Sequence, residues 1–328
     1  MSARARRLVE RRTPAAGRLG ARLGRLIDDP ERFVAVLEIG LGRLSDAAYR
    51  QELERISPGD TPRLGVRQPL LRTLGAGLAR EVRDASPASL VSAAERLTRT
   101  EWLETRLVAH GLLRSSLPGD PERTWQVIRR LAGGARDWIS VDGLAGVVGV
   151  GILADRRRWA ELEQLVYSLS RWERRLVGST VATLPRLLRP SERPRLADSP
   201  ALPLIATALG DPEPDVQKAL SWALRAWQSV DPEGVWRLLD VEAQRAGRER
   251  DGNRAWVIRD ALGVQPAERA ASVRAVMIGV RRTADSASTS AALEIAALFR
   301  GFEGPSGPRA DGAEVAQRSG ERMGSFAT

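Results

Sequence analysis

Asp211-Pro212-Glu213-Pro214-Asp215-Val216-Gln217-Lys218-Ala219-Leu220-Ser221-Trp222-Ala223-Leu224-Arg225-Ala226-Trp227-Gln228 decides the fold of this chain. It opens on Asp, Pro and Glu, which together start a helix. Asp caps free N–H groups, Pro has no N–H to leave unpaired at the first helical position, and Glu faces the positive end of the helix dipole. At about 100° per residue, Val216, Leu220, Ala223 and Trp227 fall on one side, with Ala219 and Leu224 flanking them. Lys218, Trp222 and Arg225 fall opposite. Trp227 is therefore expected in the core, and Trp222 on an exposed or groove-lining face between two cations, where a large aromatic needs a reason.

The same start recurs. Asp-Pro-Glu begins at Asp29, Asp120, Asp211 and Asp231, each time ahead of an apolar-periodic segment, and the first three lie 91 residues apart. That is about twice the roughly 40 to 47 residue period of HEAT or armadillo units. Alternating Val/Ile/Thr runs are almost missing, and there are only two Tyr and four Phe, so the fold class is all-α. The expected architecture is an α-solenoid of HEAT-like helical repeats over residues 27–300. Helices are predicted at 30–44, 46–56, 66–83, 86–98, 100–114, 121–132, 137–153, 157–167, 170–185, 200–209, 212–228, 231–246, 252–262, 266–281 and 287–300. Residues 301–328, rich in Gly, Ser, Arg and Glu, read as a disordered tail.

Composition narrows the chemistry. With no cysteine there is no disulfide framework, thiol nucleophile or Cys-ligated zinc, and the single His110 builds neither a His-based metal site nor a Ser-His-Asp triad. No metal and no cofactor is expected. No window approaches a bilayer span and no short apolar run follows the basic N-terminus, so a cytoplasmic, nucleoid-associated monomer is expected. Of the net charge of +10, residues 1–26 carry +7, from eight Arg against Glu10. This segment reads as a flexible basic arm adding phosphate affinity, or as a leader ahead of the folded chain.

Two further helices carry polar residues off their apolar side. From Trp138, the residues Val141, Leu144 and Val148 define a buried side, while Trp138 and Asp142 share a neighbouring stripe that continues through Ala145, Gly146 and Gly149. Small residues there would let another backbone approach. In 170–185, Leu176, Val177, Val181 and Leu184 face inward, and Arg171 and Arg175 point away as an i, i+4 pair suited to phosphate contact. Arg174 and Arg175 could equally solvate a surface or pair with a neighbouring acid. The bland reading of Trp102, Trp125, Trp159, Trp172, Trp236 and Trp256 is packing between repeats, and that of His110 is helix packing rather than catalysis.

In order along residues 45 to 262, Leu64-Gly65-Val66, Glu104-Thr105-Arg106, Trp138 through Asp142, Trp172 through Arg175, Val216 through Arg225 and Asp231-Pro232 leading to Val235-Trp236 together resemble the DNA alkylation repair family, the HEAT-like glycosylases of AlkD type. Trp-x-x-Val-Asp with a later Lys-Ala-x-x-Trp-x-Leu-Arg carries most of the likeness. The resemblance implies an all-α solenoid that binds double-stranded DNA containing alkylated bases and excises N3- or N7-alkylated purines without a cofactor. It implies Asp142 as the catalytic carboxylate, Trp138 and Trp222 as aromatics flanking the lesion nucleotide, and Arg175 as a phosphate-contacting residue of the same site. Lys218, Arg225, Arg171 and Arg174 are the expected DNA-backbone contacts. Asp137 and Ile139 around Trp138, and Ala226 after Arg225, depart from the family pattern.

The chemistry is consistent in its own right. A purine alkylated at N3 or N7 is already cationic, so its glycosidic bond can break without a general acid. What remains is to stabilise oxocarbenium character on the sugar and to place a water, which one carboxylate can do. Trp faces add cation–π attraction of roughly 0.5 to 2 kcal/mol each. The competing reading is a non-catalytic HEAT-type module that binds DNA or protein.

Overall fold

The computed structural model describes residues 1–57, 59, 61–264, 266–283, 286 and 288–299. It is all-helical, with no strand among the described residues. The first helices are α1 (Ala3–Gly24), α2 (Pro30–Leu44), α3 (Ala47–Ile56), α4 (Gln68–Glu81), α5 (Pro87–Thr98), α6 (Leu103–Ser116), α7 (Pro121–Gly133) and α8 (Trp138–Ala154). They continue as α9 (Trp159–Val166), α10 (Arg171–Thr183), α11 (Ala201–Ala208), α12 (Pro214–Trp227), α13 (Pro232–Glu249), α14 (Gly252–Ala261), α15 (Ala267–Ala275) and α16 (Ala291–Phe299). Helix ends differ from those predicted by up to four residues, apart from 266–281, which stops at Ala275. The tail expected at 301–328 lies outside the described residues.

Three of the four Asp-Pro-Glu starts are side-chain caps: Asp29, Asp120 and Asp231 accept from the N–H of Arg32, Arg123 and Gly234 at 2.8 to 3.1 Å. The fourth is different because a second proline, Pro214, takes the first-turn position of α12. Asp211 is left three residues upstream, fully buried, accepting from the backbone of Glu213 and from Arg174.

The helices pack in two rows. One runs α1, α4, α6, α8, α10, α12, α14, each touching the next, and its contacts advance in step along both partners. Gly17 sits by Thr73 and Gly24 by Glu81, His110 by Gly143, Asp142 by Arg175, Gly178 by Ala219, and Arg225 by Asp260. Helices α1 and α4 therefore run parallel, as do α8, α10, α12 and α14. The other row includes α2, α5 and α7, then α9, α11, α13 and α15. A helix inside the first row is covered on both flanks as well as beneath, and every residue of α10 from Arg174 to Thr183 is buried.

The N-terminal segment is not the flexible arm its composition suggests. Residues 3–24 form α1, whose buried stripe of Ala16, Gly20, Leu23 and Gly24 lies against α4. Small residues make the approach possible: a Cβ on Gly20 would lie 2.1 Å from the carbonyl oxygen of Leu74, and one on Gly77 would lie 2.7 Å from that of Gly17. Ser2 caps α1 by accepting from the N–H of Ala5. Like-charged arginines three and four apart on the solvated face oppose the helix, and packing of the other face outweighs them.

The turn into α4 rests on one carboxylate. Glu104 of α6 is 1% exposed and accepts from the N–H groups of Leu64, Gly65 and Val66 at 2.8 to 3.0 Å. Gly65 has φ +79°, and a Cβ there would meet Arg50 and the carbonyl oxygen of Asp46 at 2.7 Å. Truncating Glu104→Ala strands three donors at a cost of about 1 to 3 kcal/mol each. An unfolding free energy from chemical denaturation lowered by at least about 3 kcal/mol is expected, and a change under about 1 kcal/mol would refute this role.

Candidate active site

Asp142 lies on the second turn of α8, whose first turn is fixed by a buried cap: Asp137 accepts from the N–H and hydroxyl of Ser140 and from the Thr61 hydroxyl. Across the row, Arg175 of α10 donates to both oxygens of Asp142, Nε to Oδ1 at 3.1 Å and Nη2 to Oδ2 at 2.9 Å. Ser179, one turn further along α10, donates to Oδ1 at 2.6 Å. A carboxylate has about four lone-pair positions. These bonds take three, two of them on Oδ1, so the remaining acceptor capacity is on Oδ2.

The carboxylate is reachable while its partner is not: the side chain of Asp142 is 20% exposed, that of Arg175 6%. The third guanidinium nitrogen of Arg175 donates to the carbonyl oxygen of Asp215 at 2.6 Å, tying α12 into the same cluster. Trp138, one turn before Asp142, is half-buried with its ring centroid 5.8 Å from the Arg175 guanidinium. Trp222 is half-buried about 10 Å along α12 from Asp215, at 1.5 Å per residue. Because the row is parallel, Trp138 lies toward the N-terminal side of Asp142 and Trp222 toward the C-terminal side. Gly146, one turn above Asp142, faces open space.

The basic residues divide sharply. Arg174 is buried, donating to Asp211 and to the carbonyl oxygens of Ser168 and Leu169, so it cannot meet a DNA backbone without breaking this network. Burial pushes the Asp211 carboxyl up against the pull of Arg174. Arg175 pairs with a neighbouring acid, the alternative its spacing also allowed: each guanidinium nitrogen donates either to Asp142 or to the carbonyl oxygen of Asp215. The burial of both arginines has one cause: facial reasoning allots a helix one buried side, and α10 has neighbours on both flanks. Arg171 is exposed, stacked on Trp172 and 3.5 Å from Glu213. Lys218 is exposed, and Arg225 is held by Asp260. Trp227 is in the core, and Trp125, Trp159 and Trp236 are buried, as packing residues should be.

Two residues of the cluster had escaped notice. Ser179 sits among apolar neighbours that hide its role. Arg186, in the turn after α10, places its guanidinium 4.8 Å from the Trp222 ring centroid, a juxtaposition set by tertiary structure with no signature in spacing.

His110 is buried beside Gly143, its Nδ1 without a partner among the described residues, and burial holds its pKa down to about 4. It is a neutral packing residue. Because its folded pKa is depressed, the unfolded chain binds a proton that the native state refuses between about pH 6.5 and 4, and stability falls as pH drops through that window. The expected slope is about 1.4 kcal/mol per pH unit. Denaturation of His110→Leu across this window should lack that component; identical slopes in the two proteins would contradict the assignment.

Among the described residues, no group of three His, Asp or Glu side chains could hold a metal ion, and no helix is long and apolar enough to cross a membrane. Comparison with curated proteins and with solved structures gives no significant match. A family model described as DNA alkylation repair enzyme matches residues 37–263, a span that includes α8, α10 and α12 with the whole of this cluster. The chain belongs to the DNA alkylation repair enzyme family.

Proposed function

We propose that this protein is a DNA glycosylase that hydrolyses the N-glycosidic bond of cationic N3- and N7-alkylated purines in duplex DNA, on an α-solenoid of HEAT-like repeats. The observation that carries the reading is a partly exposed carboxylate, Asp142, held on three sides by Arg175 and Ser179 and flanked along the row by Trp138 and Trp222. Membership of an alkylation repair family makes damaged DNA the substrate class.

The residues divide the work as follows. The C1′–N bond breaks with its electron pair going to the base, which leaves neutral because the alkyl group had already made it cationic. Positive charge moves onto the sugar, where Asp142 stabilises it and accepts, through Oδ2, the proton of the water that adds to C1′. Arg175 and Ser179 are positioning residues, restricting the carboxylate to one orientation before the substrate arrives. Trp138 and Trp222 offer aromatic faces to the cationic nucleotide. Lys218, on the second turn of α12, and Arg171, on the first turn of α10, are exposed and suit the DNA backbone, while Arg225 must exchange Asp260 for a phosphate to do so.

Single-turnover release of N7-methylguanine from duplex DNA tests this. Asp142→Asn should lower the rate by about 10²-fold or more, with far-UV circular dichroism and undamaged-duplex affinity retained. Undiminished release by that variant, or none by the wild type on any alkylpurine, overturns the reading; tight lesion-duplex binding without release would mark a non-catalytic binding module. Ser179→Ala, which frees one rotation of the carboxylate, should lower the rate less, by about 10-fold, without altering the duplex affinity.

A further inference from the structure

Helix α1 presents a charged surface that the site does not use. Arg4, Arg7, Arg11, Arg18 and Arg22 are exposed, and Arg25 follows directly after the helix. At 100° per residue these six positions fall within about 60° of one another. They lie opposite the stripe of Ala5, Val9, Ala16, Gly20 and Leu23 that is buried in the fold. Arg25 lies 3.7 Å from Glu81; the other five have no ion-pair partner among the described residues, and the one acid of the helix, Glu10, falls off the line. The line is about 30 Å long at 1.5 Å per residue, which spans roughly nine base pairs at 3.4 Å each.

We infer that this line of arginines is a second, rigid contact for the phosphate backbone of duplex DNA, separate from the cluster around Asp142. A flexible arm would spend conformational entropy on each contact, whereas α1 is already ordered by its glycine-mediated packing on α4. A lipid surface is the weaker match, because a membrane-bound amphipathic helix inserts an apolar face, and the apolar face of α1 is buried in the fold. Three steps along the row separate α1 from α8, about 25 to 30 Å at 8–10 Å per step, so the contact falls on duplex flanking the reacting nucleotide. Helix α1 also precedes the span of the family match, which starts at residue 37. The inference needs DNA as partner but not base release, so it stands or falls independently of the catalytic proposal.

The test is the salt dependence of binding to an undamaged 30-base-pair duplex, followed by fluorescence anisotropy between 50 and 200 mM NaCl. Each phosphate contact contributes about 0.9 to the slope of log Kobs against log salt. A variant carrying Gln at positions 4, 7, 11, 18 and 22 should show a slope shallower by about 2 or more, and its Lys counterpart should keep the wild-type slope. Exposed Arg→Gln changes on a helix are nearly neutral for stability; the subsets R4Q/R7Q/R11Q and R18Q/R22Q, each expected to lower the slope in part, guard against loss of fold in the full variant. Unchanged slopes in all Gln variants overturn the inference. So does cosedimentation of the wild type with phosphatidylglycerol vesicles that the Gln variant loses while its DNA slope is unaltered.

Discussion

The pairing of Asp142 with Arg175 is the interaction on which the arrangement of this cluster depends. It joins α8 to α10, and through the carbonyl oxygen of Asp215 the same guanidinium reaches α12. An ion pair with one buried partner is a poor device for stability alone, since desolvation of Arg175 offsets much of its attraction to the partly exposed Asp142, while losing the carboxylate would strand the buried guanidinium. Its effect is geometric. With both carboxylate oxygens bound and Ser179 added, the side chain has one orientation and one oxygen with acceptor capacity to spare.

That geometry is available because α8, α10, α12 and α14 run parallel in one row. Residues at matching heights on neighbouring helices meet repeatedly: His110 and Gly143, Asp142 and Arg175, Arg175 and Asp215, Gln217 and Asn253. Close approach is secured by small residues where the helices touch. A Cβ on Gly178 would lie 2.9 Å from the Ala219 backbone, so the glycine is what lets α10 and α12 approach this closely. The proposed catalysis follows from this rigidity, because a carboxylate fixed before the substrate binds has no reorganisation to undergo as charge develops.

Much of this was legible in the sequence, and the exceptions share a cause. Helix positions followed from capping and the 3.6-residue period, both local properties. The placement of Trp227 in the core and Trp222 off it followed from one amphipathic helix with one covered side. The burial of Arg174 and Arg175 did not follow from spacing because α10 is covered by α8 and α12 together, and how many neighbours a helix has is not written in its own period. Asp211 looked like its three sister caps, and only the Arg174 guanidinium brought to it by the fold separates it from them. The N-terminal segment was read from its charge, which outweighs its apolar residues; the deciding stripe of Ala16, Gly17, Gly20 and Gly24 is nearly invisible to hydropathy because its contribution is close approach rather than buried area. Ser179 and Arg186 are brought to Asp142 and Trp222 by tertiary contact alone.

The proposed site works on charge that is already in the substrate: nothing in the cluster around Asp142 is placed to protonate a neutral leaving base. The most direct measurement is therefore single-turnover base release from two duplexes that differ at one nucleotide, one carrying cationic N7-methylguanine and the other neutral hypoxanthine. Release confined to the N7-methylguanine duplex is the predicted result; release of hypoxanthine at a comparable rate would contradict the account.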